Sequence, residues 1–127
     1  MRVIDYKSSV KAGDKFEFTG FDELFNDKKF DKMLQLFLYA WLAYKNNLAQ
    51  PQYIKPCIIP FRKFEKEPRF IVQKGKVPLI LTNELMTEFE NHLIKFIKGV
   101  FDEKNSFVQT DDEDICLYCA YKAICNR

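Results

Sequence analysis

Asp5 and Lys7 stand two residues apart in the opening run Val3-Ile4-Asp5-Tyr6-Lys7. On a strand, alternate side chains share a face, so this spacing sets a carboxylate beside an ammonium. Such a pair can hold a divalent cation and the water it activates. At the other end, Cys116-Leu117-Tyr118-Cys119 is followed after five residues by Cys125. A short-spaced cysteine trio has the form of part of a metal or iron–sulfur site. Between the two ends, Gln35 and Tyr39 are four residues apart in a helical pattern and so neighbour each other on one helix face.

Each signal also has a plain reading. Asp-x-Lys recurs at Asp27-Lys29 and Asp102-Lys104, at expected helix ends where residues two apart point to different sides. Only Asp5 and Lys7 fall on an expected strand, where the alternative is an exposed strand-face ion pair. For Gln35 and Tyr39 the alternative is a surface amide packed on a partly buried tyrosine. His92 is the single histidine and is given no role. Without it, no Ser-His-Asp or Cys-His machinery can be assembled, and no glycine loop is suited to cradle phosphate. Three cysteines with no nearby histidine do not close a tetrahedral zinc site, which weakens the reading of the tail as a zinc interaction module. Cys57, between Pro56 and Ile58, reads as a small buried hydrophobe.

These residues need elements to position them. Arg2 to Ser8 has the β-branched, alternating pattern of a strand. Ser9 to Thr19 is polar and loop-like, with a short strand possible at Lys15–Phe18, and Phe21 to Phe25 suits one helical turn. A long helix is expected from about Asp27 to Asn46, with an apolar stripe of Phe30, Met33, Leu34, Phe37, Leu38, Trp41 and Leu42. Tyr53 to Phe64 reads as a strand, although Pro56 and Pro60 argue against an uninterrupted central position. Arg69 to Gln73 is expected to pair with it, with Gly75 in the exit loop. Thr82 or Asn83 caps a second helix reaching about Phe101, which buries Leu85, Phe89, Leu93, Phe96, Ile97 and Val100. This order implies an α/β domain with a small mixed sheet.

The 127 residues suit a single domain, 1–127, with a cysteine-containing tail over 107–127. With 47% hydrophobic and 30% charged residues, the chain has an ordinary globular composition. A net charge of +2 does not announce nucleic-acid binding. The clusters Lys28, Lys29, Lys32 and Arg62, Lys63, Lys66 read singly as solvated charge. No secretory signal is visible. The longest apolar stretch, Leu36 to Tyr44, is half of the roughly 18 residues that span a bilayer. The expected setting is therefore cytoplasmic, with no membrane partner and with reduced or metal-bound cysteines. A start that leads directly into a core strand suggests a piece of a longer protein.

Taken together, Ile4-Asp5-Tyr6-Lys7-Ser8, the Gln35-x-x-x-Tyr39 helix and the Cys116, Cys119, Cys125 terminus resemble the PD-(D/E)XK nuclease superfamily. Within it they are most similar to the RecB/AddB-type C-terminal nuclease domains of bacterial helicase–nucleases. Pro60-Phe61-Arg62 and Phe107-Val108-Gln109-Thr110 share the likeness more loosely. The resemblance implies a restriction-endonuclease-like α/β fold, a mixed sheet flanked by helices, here N-terminally truncated and carrying the cysteine segment. It implies that Asp5 binds Mg²⁺ (or Mn²⁺) with the Tyr6 carbonyl, and that Lys7 orients the attacking water or stabilises the phosphate. Gln35 and Tyr39 would support the site and touch the DNA backbone. The products would be a 3′-hydroxyl and a 5′-phosphate.

Cys116, Cys119 and Cys125 would be three ligands of a [4Fe–4S] cluster, and the partners would be DNA and a helicase domain or subunit. The chain departs from the family pattern in two places. The second metal-binding acid, expected on a strand before Asp5 in a Gly-x-x-Asp-Arg-like segment, is absent, and so is the first cluster cysteine. The 127 residues alone are therefore expected to be inactive. A non-catalytic DNA-binding or scaffold domain that keeps the nuclease fold is the alternative.

Overall fold

The computed structural model describes residues 1–61, 68–106, 108–110, 113–117 and 119–125. Arg62, Lys63, Lys66, Phe107 and Tyr118, singled out above, lie outside them. The chain divides into two compact units, Met1–Ile97 and Lys98–Arg127.

The first unit is built on β1 (Arg2–Lys7), α1 (Phe21–Asn26), α2 (Asp31–Lys45), β2 (Lys55–Pro60) and β3 (Arg69–Phe70). β1 and β2 pair in parallel, with Asp5 opposite Ile58 and Lys7 opposite Pro60. β3 is antiparallel to β2, which makes β2 the central strand of the order β1-β2-β3. A parallel pair needs a crossover, and α2, packed on both strands, supplies it.

The central place of β2 corrects the expectation drawn from its prolines. Lys55 N–H donates to the Met1 carbonyl and Phe61 N–H to the Lys7 carbonyl, both at 2.9 Å. The backbone N–H positions of Pro56 and Pro60 therefore point away from β1, toward the β3 side. There, β3 pairs only with Cys57 and Ile58. Neither proline sits where the ladder requires a donor.

The predicted pairing of 69–73 is split in two. Arg69–Phe70 joins β2, whereas β4 (Val72–Gln73) forms a hairpin with β5 (Val77–Pro78). Gly75 and Lys76 make its turn with φ of 83° and 61°, the left-handed region that glycine enters at least cost. The Lys15–Phe18 segment contributes a single bridge, Glu17 to Val72.

α2 begins after a 3₁₀ turn at Lys28–Phe30, whose first N–H groups are met by Asp27: Oδ1 accepts from Lys29 N at 2.9 Å. That bond holds the Asp27 carboxyl below its ordinary range. Asp102 accepts from Lys104 N in the same way. Both other Asp-x-Lys copies are thus local caps.

The buried face of α2 comprises Met33, Leu36, Phe37, Ala40 and Ala43, while Leu42 is exposed. The stripe is rotated from its expected position because two alanines, inconspicuous in a count of large apolar residues, lie on the buried face. Phe37 is fully buried, with ring centroids 5.2 Å from Phe18, 5.7 Å from Phe21 and 5.5 Å from Phe89.

α3 (Asn83–Val100) starts at the expected cap, Thr82, whose hydroxyl accepts from Leu85 N at 3.2 Å. It buries Met86 and Phe89, with Leu85 and Leu93 packed at the margin. Phe96, Ile97 and Val100 are exposed, contrary to expectation. The apolar period of α3 outlasts the core, whose edge on this side is the Phe25–Phe96 ring contact at 5.8 Å. His92 stacks on Phe21 and Phe25.

Lys45 of α2 reaches Glu90 of α3 at 2.8 Å. The lysine's hydrogen bond is the main cause holding the Glu90 carboxyl below its ordinary range. A depressed carboxylate stabilises the fold above its unfolded-state pKa, and that contribution is lost as pH falls through the folded value. Thermal melts from neutral to acid pH should therefore show Glu90→Gln slightly less stable than wild type at neutral pH. The difference, below about 1 kcal/mol for so exposed a pair, should vanish under acid conditions.

In the second unit, α4 (Glu113–Cys116) is a single short turn. Among the described residues no helix is long and apolar enough to cross a membrane.

Candidate active site

Burial along β1 alternates strictly. Arg2, Ile4 and Tyr6 are exposed, whereas Val3, Asp5 and Lys7 are half-covered on the face where α2 packs. That alternation brings Lys7 Nζ to 3.0 Å from Asp5 Oδ2, with side-chain exposures of 26% and 12%. Asp5 Oδ2 is buried and has the Lys7 ammonium as its ionic partner, unlike the carboxylates of Asp27 and Asp102, which accept from backbone N–H groups. The pair sits at the carboxyl end of two parallel strands, where open α/β sheets bind their ligands.

The β1 backbone adds a second oxygen. Because Met1 and Lys7 direct their carbonyls to β2 and a parallel ladder alternates, Arg2, Ile4 and Tyr6 direct theirs to the outer edge. No strand pairs there among the described residues. The Tyr6 carbonyl is thus free of the β1–β2 ladder and adjoins Asp5 in sequence.

Tyr39, Leu42, Ala43 and Asn46 of α2 line a cleft of about 400 Å³ with Met1, Val3, Ile4 and Leu48. The carboxyl half of α2 therefore lies beside the amino half of β1. Gln35 is exposed one turn before Tyr39, and the cleft lining includes neither it nor Asp5 and Lys7. Among the described residues its amide makes no hydrogen bond to that pair.

Cys116, Cys119 and Cys125 belong to the second unit. Cys116 and Cys119 are half-buried and Cys125 is exposed; among the described residues none is in a disulfide. Cys119 N–H donates to the Cys116 carbonyl at 3.1 Å and Tyr121 N–H to Cys119 Sγ at 3.4 Å. The Gln109 amide donates to the Cys125 carbonyl at 2.8 Å, tying that segment to the last cysteine. Among the described residues no three His, Cys, Asp or Glu side chains gather as a metal-binding group, so the three thiols do not converge on a common centre. Cys57 is fully buried, its thiol pushed up by burial with Arg2 opposing the shift, as a small hydrophobe should be.

The family model of the PD-(D/E)XK nuclease superfamily matches residues 1–126. The chain belongs to this superfamily. Neither a curated protein nor a solved structure matches it. The mixed sheet with α2 as crossover is the superfamily's restriction-endonuclease-like architecture. Superfamily members are generally nucleases that hydrolyse phosphodiesters with divalent metals.

The residues present fit such a cation in part. Mg²⁺ keeps several waters and is commonly held by one or two carboxylates together with substrate phosphate. The Asp5 carboxylate and the Tyr6 carbonyl meet the lower end of that requirement. Sequence reasoning gave Phe61 only a loose family likeness and missed its stack on Tyr6, with centroids 5.3 Å apart and 7° between planes. Only the β1–β2 register could have revealed it.

Proposed function

We propose that this domain is a Mg²⁺- or Mn²⁺-dependent DNA nuclease of the RecB/AddB type, working in the cytoplasm beside a helicase domain or subunit in DNA repair. The supporting observation is the Asp5–Lys7 pair on a shared strand face, 3.0 Å apart at the carboxyl end of two parallel strands. A cation bound there would lower the pKa of its water and offset charge on the phosphate. Asp5 and the Tyr6 carbonyl would hold it. Lys7, positively charged and half-covered, would orient the attacking water and stabilise the phosphate oxygens as charge builds on them. Gln35 and Tyr39 would support the site and contact the DNA backbone.

One carboxylate holds Mg²⁺ loosely. A second acid, carried on another stretch of polypeptide against the open edge of β1, completes the donor set in this reading. A [4Fe–4S] cluster on Cys116, Cys119 and Cys125 would likewise require a fourth cysteine and a rearrangement of the thiols. The test uses Mn²⁺ binding, followed by electron paramagnetic resonance, and cleavage of linear single- and double-stranded DNA. The isolated 127 residues should bind Mn²⁺ weakly, in the millimolar range or above, lose that binding in Asp5→Asn, and cleave little. The complete gene product should cleave both DNAs only with Mg²⁺ or Mn²⁺. A complete product that binds DNA but never cleaves it would establish the scaffold reading instead.

A further inference from the structure

The face of the sheet opposite Asp5 and Lys7 has its own chemistry. The alternation that turns those two side chains toward α2 turns Arg2, Ile4 and Tyr6 the other way. The parallel register sets Lys55 beside Arg2, Cys57 beside Ile4 and Ile59 beside Tyr6. Phe61 follows at the end of β2, in the same phase as Cys57 and Ile59. Its ring lies parallel to that of Tyr6, and the two are 57% and 58% exposed. This row on β1 and β2 contains no carboxylate, and it is open at its two ends, its middle being closed by the fully buried Cys57 and the half-buried Ile59. It has two exposed cations, Arg2 and Lys55, at one end and two exposed stacked rings at the other. Four strand residues, about 13 Å, separate Arg2 from Tyr6.

We propose that this outer sheet face binds single-stranded nucleic acid, with an unpaired base stacked on the Tyr6–Phe61 rings and backbone phosphates on Arg2 and Lys55. This rests on the nuclease reading above and adds to it a preference for strands with accessible bases. Single-strand sites combine aromatic platforms with cationic tracks, because every base offers a π-face and every residue a phosphate. The outer row supplies both and lacks the acids that would repel the backbone. A duplex keeps its bases stacked on one another, so the rings select single strands and frayed ends. The platform is also coupled to the reaction site. Phe61 N–H donates to the Lys7 carbonyl at 2.9 Å, and Tyr6 lies between Asp5 and Lys7.

The test is fluorescence anisotropy of a labelled single-stranded oligonucleotide, the same strand with abasic positions, and a duplex. Ca²⁺ replaces Mg²⁺, and the complete gene product is used. Wild type should bind the single strand about 5- to 150-fold more tightly than the abasic strand, the range expected for one stacked base. Phe61→Leu should remove that difference while leaving abasic-strand binding unchanged; Tyr6→Leu should also remove it, and Tyr6→Phe should keep it. Arg2→Gln should weaken both strands alike and reduce the salt dependence. Equal losses on normal and abasic strands would overturn the proposal by showing that the rings merely hold the sheet. So would wild type binding both strands equally, an outcome that needs no variant to fold. If either occurs while Lys7→Ala still abolishes cleavage, the platform fails and the nuclease reading stands. If wild type binds no DNA of any kind, both fail.

Discussion

Lys7→Ala in the complete gene product should lower the rate of phosphodiester cleavage by about 10²–10⁴-fold, the range found for a single positioned proton-transfer or charge-stabilising group. Mn²⁺ binding should be largely preserved, because Asp5 and the Tyr6 carbonyl remain. The loss should fall on kcat more than on KM, since the ammonium's main work is on charge that develops in the transition state. Lys7→Arg should recover little, because a planar guanidinium does not replace a compact ammonium 3.0 Å from the carboxylate. Single-turnover cleavage with saturating Mg²⁺ measures the effect directly. A fall of less than threefold would remove Lys7 from the reaction.

Phe37→Ala should be the most destabilising single change in the first unit. The ring is fully buried and meets Phe18, Phe21 and Phe89, so it joins α2 to the 9–19 loop, α1 and α3 at one point. Emptying such a site costs about 3–5 kcal/mol, a large share of the 5–15 kcal/mol that typically holds a domain folded. Urea denaturation should show a lower midpoint with an unchanged slope, and Tm should fall by on the order of 10–20 °C. Phe37→Leu, which retains most of the volume, should lose less than half as much.

Much of this arrangement could be read from residue types and spacing. Strand alternation at Val3–Lys7, the Thr82 cap and the long α2 helix all follow from local chemistry, and local chemistry decides those features. Asp5 and Lys7 were placed on one face by the period of a strand alone. Features that depend on a distant neighbour were not legible. Pro56 and Pro60 are tolerated in a central strand because β3 is two residues long, which nothing within β2 reveals. Leu42 is exposed and Ala40 buried because of where α2 meets the sheet, whereas hydrophobic spacing records only that the helix has an apolar side. The exposed end of α3 reflects where α1 stops. The Tyr6–Phe61 stack requires the β1–β2 register, a product of the crossover.

Among the described residues β1 is hydrogen-bonded on one side only, to a strand reached across the whole of α2. Its pairing therefore closes a long loop, and such nonlocal contacts form late. The residues proposed to perform the chemistry should thus be among the last to be ordered when the chain folds and among the first released on warming. In hydrogen exchange, the amides of Val3, Asp5 and Lys7 should open with a smaller free energy than those of Met33 to Ala43 on the buried face of α2. Heat should silence the enzyme through fraying of this strand while the helices still give a folded circular-dichroism signal. Any polypeptide that adds to the free edge would then act as a thermal protector of catalysis as well as a structural neighbour.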